Sequence, residues 1–127
     1  MIDHLSRQPI YQQIIRQLEH FIVVGAVNAG DEMPSVRALS VELCVNPNTI
    51  QKAYAELSGR GLLCSVPGKG CFVAPDAVQI VTRMRRERLG DLEKTVSELA
   101  LAGIDRQEII TLIEQVYATL DRKEEHV

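Results

Sequence analysis

The chain has 127 residues, 46% of them hydrophobic and 24% charged, which allows one ordinary domain or one small domain with a helical appendage. No apolar run approaches the roughly 18 residues of a membrane span and no signal peptide opens the chain, so a soluble, cytoplasmic protein is expected. The net charge of −3 does not advertise a nucleic-acid partner, but it is unevenly placed: residues 1–75 carry six basic and six acidic side chains, residues 76–127 eight and eleven. Cys44, Cys64 and Cys71 lack CxxC spacing, and their odd number argues against a disulfide framework. His4, His20 and His126 are scattered, so neither a metal site nor a cofactor is expected.

Met1–Gln8 reads as a short polar lead. Pro9 can open a helix at its first position; Ile10, Ile14, Leu18, Phe21 and Ile22 make its inward stripe, and Gly25 sits where a left-handed stop belongs. The turn-rich NAGDEMP follows. Ser35 reads as the N-cap of a second helix with Leu39 and Leu43 inward. A break at Cys44–Asn46 then leads into a third, with Asn46 as N-cap and Pro47 at its first position. Two short helices across so tight a turn are a helix-turn-helix signature.

In the third helix Ile50, Ala53, Tyr54 and Leu57 recur at helical spacing and form the apolar face. Asn48, Gln51, Lys52 and Ala55 point the other way. Asn and Gln can pair bidentately with adenine, alanine can touch a thymine methyl, and lysine can reach guanine or phosphate. Any surface helix has a polar outside, so the neighbouring elements have to decide. Leu62–Pro67 and Gly70–Ala74 read as a hairpin around Gly68-Lys69. With those two residues as the loop, Cys64, Val66, Cys71 and Val73 share one face and Leu63, Ser65 and Phe72 the other; a slip of one residue would exchange them. Helix, helix-turn-helix, hairpin is the order of a winged helix.

Pro75-Asp76 marks the expected domain boundary, giving a winged helix-turn-helix domain over 1–75 and a helical dimerisation region over 76–127. Ala77 to about Ala102 reads as one helical region in which Leu89, Leu92, Val96 and Leu99 make a coiled-coil-like seam. Gly103 stops it, and Asp105 with Glu108 forms a variant capping box. Ile109, Leu112, Ile113, Val116 and Leu120 make the last stripe, and Asp121–Val127 is expected to fray. Two such helices cannot bury both stripes alone, and the simplest partner is a second copy. The expected fold is mainly α with a small β-hairpin.

From PIYQQI at 9–14 through GDEMPSVRALS at 30–40, VNPNTIQKAYAEL at 45–57 and GRGLLCSVPGKGCFV at 59–73, the chain resembles the GntR family of bacterial transcription regulators. VNPNT followed by KAY, with only a two-helix tail, resembles its YtrA branch. The resemblance implies a homodimer that binds an operator through its winged helices. It matches Ser35 and Arg37 to positions that meet phosphate and, for the arginine, often a base edge, Asn46, Asn48, Thr49 and Gln51 to recognition-helix contacts, and Gly68, Lys69 and Gly70 to a wing tip. Pro47 departs from the family, where a basic or polar residue is common, so a contact made there elsewhere should be missing. Cys71 departs likewise, replacing a frequent hydroxyl residue.

Plainer readings compete at each position. Arg37 can be simply exposed or salt-bridged, Ser35 only a cap, Lys69 only a hairpin tip. Tyr54 reads as core. Arg83, Arg85, Arg86 and Arg88 read by default as a solvated face, with phosphate attraction or pairing to a partner subunit as the functional option. A disulfide switch between Cys64 and Cys71 rests on their sharing a predicted face. The expected function is a homodimeric DNA-binding regulator, a repressor at an inverted-repeat operator, controlling a transporter operon on the branch resemblance. An unidentified small-molecule effector is compatible with it. A winged-helix module that binds only protein is the alternative, and no nucleophile–base pair or phosphate loop supports an enzyme.

Overall fold

A computed structural model describes residues 2–125. In chain order it contains α1 (Ile10–Val24), α2 (Val36–Leu43), α3 (Pro47–Gly59), β1 (Leu63–Val66), β2 (Gly70–Val73), α4 (Ala77–Arg86), α5 (Leu89–Leu101) and α6 (Arg106–Glu125). The chain divides into two compact units, one ending at Arg85 and one beginning at Arg86.

The first unit is built on α3. Asn46 caps it, its Oδ1 accepting from the Asn48 N–H at 2.8 Å, and Pro47 opens it where no N–H is missed. Its apolar face is the expected one: Ile50, Ala53, Tyr54 and Leu57 are all buried. α1, α2 and β1 each pack on this helix. From α1 come Ile14, Leu18 and Ile22, joined by Ile15, while Phe21 stays 40% exposed at the edge of the stripe. Pro9 caps α1 rather than entering it, and Gly25 closes it in the left-handed region at φ 81°. Among the described residues Gln13 is the one buried polar side chain apart from tyrosine; its amide donates to the Asp3 and Gln8 carbonyls and accepts from the Asp3 N–H at 2.7 Å, which ties the polar lead to α1. Arg60 joins the ends of two helices, reaching Glu19 of α1 at 2.7 Å and Glu56 of α3 at 2.8 Å.

α2 starts at the expected cap, Ser35 Oγ accepting from the Ala38 N–H at 3.0 Å. It buries no residue fully; Leu39 and Leu43 are half-buried and Val41 is exposed. The break to α3 is Cys44–Asn46, with Cys44 in the left-handed region at φ 55°. The Ser40 hydroxyl donates to the Val45 carbonyl and pins the turn.

The hairpin forms, but one residue out of the expected register. Leu63 pairs with Val73, Cys64 with Phe72, Ser65 with Cys71 and Val66 with Gly70. Its loop is therefore Pro67-Gly68-Lys69. The cause is turn chemistry: Lys69 N–H donates to the Val66 carbonyl at 2.9 Å across Pro67 and Gly68, and Gly68 has φ 77°. Proline at the second position and a positive-φ glycine at the third are what a type II turn requires. The slip exchanges the partners across the strands, so Leu63, Ser65, Cys71 and Val73 share one face, and Cys64, Val66, Gly70 and Phe72 the other. A third, minimal edge comes from the segment read as a loop. Gly30 N–H donates to the Val73 carbonyl, Val73 N–H to the Asp31 carbonyl and Met33 N–H to the Cys71 carbonyl, around an isolated Glu32–Phe72 bridge.

Two further features depart from the sequence reading. The first compact unit runs past Pro75-Asp76, because α4 buries Ala77 and Val81 in the same core as α3. The expected single helix over 77–102 is two, interrupted at Glu87-Arg88.

In the second unit Gly103, at φ 88°, ends α5, and the Ile104 N–H returns to the Leu99 carbonyl at 3.0 Å. The Glu108 N–H donates to the Asp105 carbonyl rather than to its side chain. α6 continues to Glu125, beyond the point where fraying was expected; His126 and Val127 lie outside the described residues. From residue 86 to 123 no side chain is buried, and only Val96 and Ile109 are half-buried. No described helix is long and apolar enough to cross a membrane.

Candidate nucleic-acid interface

The polar face of α3 is free where its apolar face is occupied. Asn48 and Gln51 are exposed and make no side-chain hydrogen bond among the described residues, so their amide donors and acceptors are unspent. Thr49 is half-buried on the first turn. Asn46 differs from its neighbours: its carbonyl oxygen holds the cap, which leaves the amide NH2 as its free group. Lys52 is exposed, but its Nζ lies 4.0 Å over the Tyr11 ring, a cation–π contact with α1 that holds the charge beside the recognition face.

Arg37 stands in the first turn of α2, exposed and outside every ion pair among the described residues. A guanidinium left free in this way can present two parallel N–H groups to a guanine edge or to phosphate. Ser35, two residues earlier, uses one lone pair on the helix cap and keeps its hydroxyl proton for an outside acceptor. Gly68, Lys69 and Gly70 are exposed at the end of the hairpin.

The parts are held together by a few bonds that periodicity does not reveal. The Tyr54 hydroxyl, on α3, donates to the Pro34 carbonyl at 2.7 Å, directly before the α2 cap. Burial pushes this phenol up to about 12, with the neighbouring Cys71 adding to the shift. The same Gly30–Pro34 segment carries the backbone bonds to β2. One stretch therefore fixes α2, α3 and the hairpin relative to each other. It also brings Glu32 to the wing: its Oε1 lies 3.1 Å from where a Cβ on Gly70 would sit, and Gly70 has φ 125°. The NAGDEMP turn signal hid that strand-like edge, since it shows no alternation.

The cysteines are corrected by the hairpin register. Cys64 and Cys71 lie on opposite faces, which removes the shared face on which the disulfide switch rested. Burial raises the Cys71 thiol, Ser65 opposes the shift through a hydrogen bond and Cys64 adds to it. Arg83, Arg85, Arg86 and Arg88 are exposed, and none is in an ion pair among the described residues. No group of three potential metal ligands occurs among the described residues.

A helix-turn-helix flanked by a hairpin, with free amides, a free guanidinium and a glycine-edged lysine outside, is the architecture of a DNA-binding transcription regulator. Residues 10–73 match the family described as bacterial regulatory proteins, gntR family. The chain belongs to that family. It is 30% identical over 118 residues to the HTH-type transcriptional repressor YtrA of Bacillus subtilis (strain 168), covering 92% of this chain and 91% of YtrA, in agreement with the branch resemblance. A GntR family transcriptional regulator from Listeria monocytogenes superposes with a TM-score of 0.73 at 35% identity, covering 87% of this chain and 96% of that one. The DNA-binding domain of AraR in complex with operator ORR3 superposes with a TM-score of 0.51 at 31% identity, over 58% of this chain and 89% of that one. These relatives support a DNA-binding regulator over a winged-helix module that binds only protein.

Proposed function

We propose that the protein is a homodimeric repressor that binds an inverted-repeat operator in the cytoplasm. The observation that carries this is the unspent polar face of α3 beside a free Arg37 and an exposed Lys69. Asn48, Gln51 and Thr49 would meet base edges from the major groove, with Asn46 contributing its amide at the helix start. Ser35, Lys52 and the Gly68–Gly70 tip would bind backbone phosphate, and Arg37 a base or phosphate.

Pairing is supported by the tail. Leu89, Leu92, Leu99, Leu112, Ile113 and Val116 are exposed in the lone chain, Leu112 at 59%, while Val96 and Ile109 are half-buried along the same stripes. A second copy would cover them and set two recognition helices one or more helical turns apart. The length-wide match to a protein named a repressor supports that sign of regulation. Control of a transporter operon rests on the branch resemblance.

Footprinting on the DNA upstream of the protein's own gene tests the reading. Two protected half-sites in inverted orientation are expected. Uniform protection without half-sites, or no binding to that DNA beyond random sequence, overturns it.

A further inference from the structure

The cleft between α1 and α2 is not used by the DNA-binding reading. It has a volume of about 350 Å3, inside the range of roughly 300–1,000 Å3 of small-molecule sites. Its floor is apolar: Ile14, Leu18 and Phe21 from α1, Leu39 and Leu43 from α2, and Met33 from the connecting segment. Phe21 is 40% exposed and α2 buries no side chain fully, so the apolar surface lies open within the first unit.

The charge at its edge has one sign. Asp31 and Glu42 line the cleft, no lysine or arginine does, and neither carboxylate is in an ion pair among the described residues. Glu32 also borders it, but its carboxylate is turned to Gly70. Asp31 Oδ2 accepts from the Asn28 N–H at 2.8 Å, a bond to a neutral donor that leaves the carboxylate without a counter-charge.

We propose that this cleft binds a small lipophilic organic cation, its hydrocarbon on the α1–α2 floor and its charge beside Asp31 and Glu42. A cation is favoured over a neutral ligand because it adds attraction to two exposed carboxylates at a rim that holds no basic side chain. An anion is disfavoured for the same reason. Occupancy is also transmitted. Met33 and Asp31 bond β2 through their backbones, and the next carbonyl, Pro34, receives the Tyr54 hydroxyl. A ligand that moves Met33 therefore moves the wing, the α2 cap and α3 together. This second part rests on the DNA-binding reading; the first does not.

The test uses the full chain with three probes of one phenylbutyl hydrocarbon: 4-phenylbutyltrimethylammonium, 4-phenylbutanol and 5-phenylpentanoate. Isothermal titration is expected to show the cation binding about tenfold more tightly than the alcohol, as two solvent-exposed charge contacts allow, and the carboxylate weakest. Amide shifts in nitrogen–proton spectra are expected at Ile14–Phe21, Asp31–Met33 and Leu39–Leu43. The double variant D31N/E42Q removes both charges while its side-chain amide at position 31 still offers an acceptor to the Asn28 N–H. It should lower cation affinity to that of the alcohol and leave the alcohol unchanged. Equal affinities for cation and alcohol in the unaltered protein, shifts confined to other residues, or the same shifts on raising protein concentration alone, which would make a second copy the occupant, each overturn the site. Saturating cation is then expected to move the operator-binding midpoint. An unmoved midpoint with the cleft filled overturns the transmission and leaves the DNA-binding reading standing.

Discussion

Tyr54 uses its ring in the core and its hydroxyl as a strut to Pro34, 2.7 Å away. Tyr54→Phe keeps the ring and should cost about 0.5–1.5 kcal/mol of unfolding free energy, read from urea curves. The phenol's proton is held more tightly in the folded chain, up to about 12 against 10.0 when unperturbed. Its contribution is therefore complete below pH 10 and is lost as the pH rises through 12. The difference in stability between wild type and Tyr54→Phe should shrink over that window, and a constant difference would show that the phenol does not titrate there. Arg37 is the other single residue on which much turns. Arg37→Ala should cost about 1–3 kcal/mol of operator affinity if the guanidinium reads a base. Equal losses on operator and random DNA, by fluorescence anisotropy, would make it a phosphate contact instead.

Among the elements, α3 was legible almost in full. Its cap, its proline and four apolar residues at helical spacing all point to one answer, and local preference agrees with tertiary packing. The hairpin was legible as an element but not in register, because Gly68-Lys69 competed with Pro67-Gly68 for the turn and a strand pattern of four residues cannot decide between them. The Gly30–Met33 edge left no signal, since it is held by backbone bonds alone. Of the site, the exposed positions on α3 were readable from angle. The diversion of Lys52 onto Tyr11 was not, because it depends on a neighbour from another helix that periodicity does not specify. The turn makes its own prediction. Gly68→Ala places a Cβ at φ 77° and should destabilise the protein by about 1–2 kcal/mol in urea unfolding. Lys69→Ala should leave stability unchanged and lower the slope of log affinity against log salt by about one. An unchanged slope would remove Lys69 from the phosphate contacts.

For the whole molecule, the distribution of burial separates two kinds of stability. The first unit has a continuous core drawn from α1, α3, the hairpin and α4, whereas no side chain from residue 86 to 123 is buried. Leu92→Asp sets an uncompensated charge in the proposed seam and should give a monomer by sedimentation equilibrium, with the first unit still folded by near-ultraviolet dichroism. A variant that still sediments as a dimer would move the seam elsewhere. Since helices that bury no side chain draw little stability from packing, ordering of the tail and pairing of two chains would be one reaction in the proposed dimer. In the proposed dimer, mass action would make the melting midpoint of the tail climb with protein concentration while that of the first unit stays fixed, which melts at several concentrations would check. A cell that dilutes such a paired regulator by growth would lose bound operators more steeply than it loses chains, so in the proposed dimer the bare tail would turn copy number into a threshold.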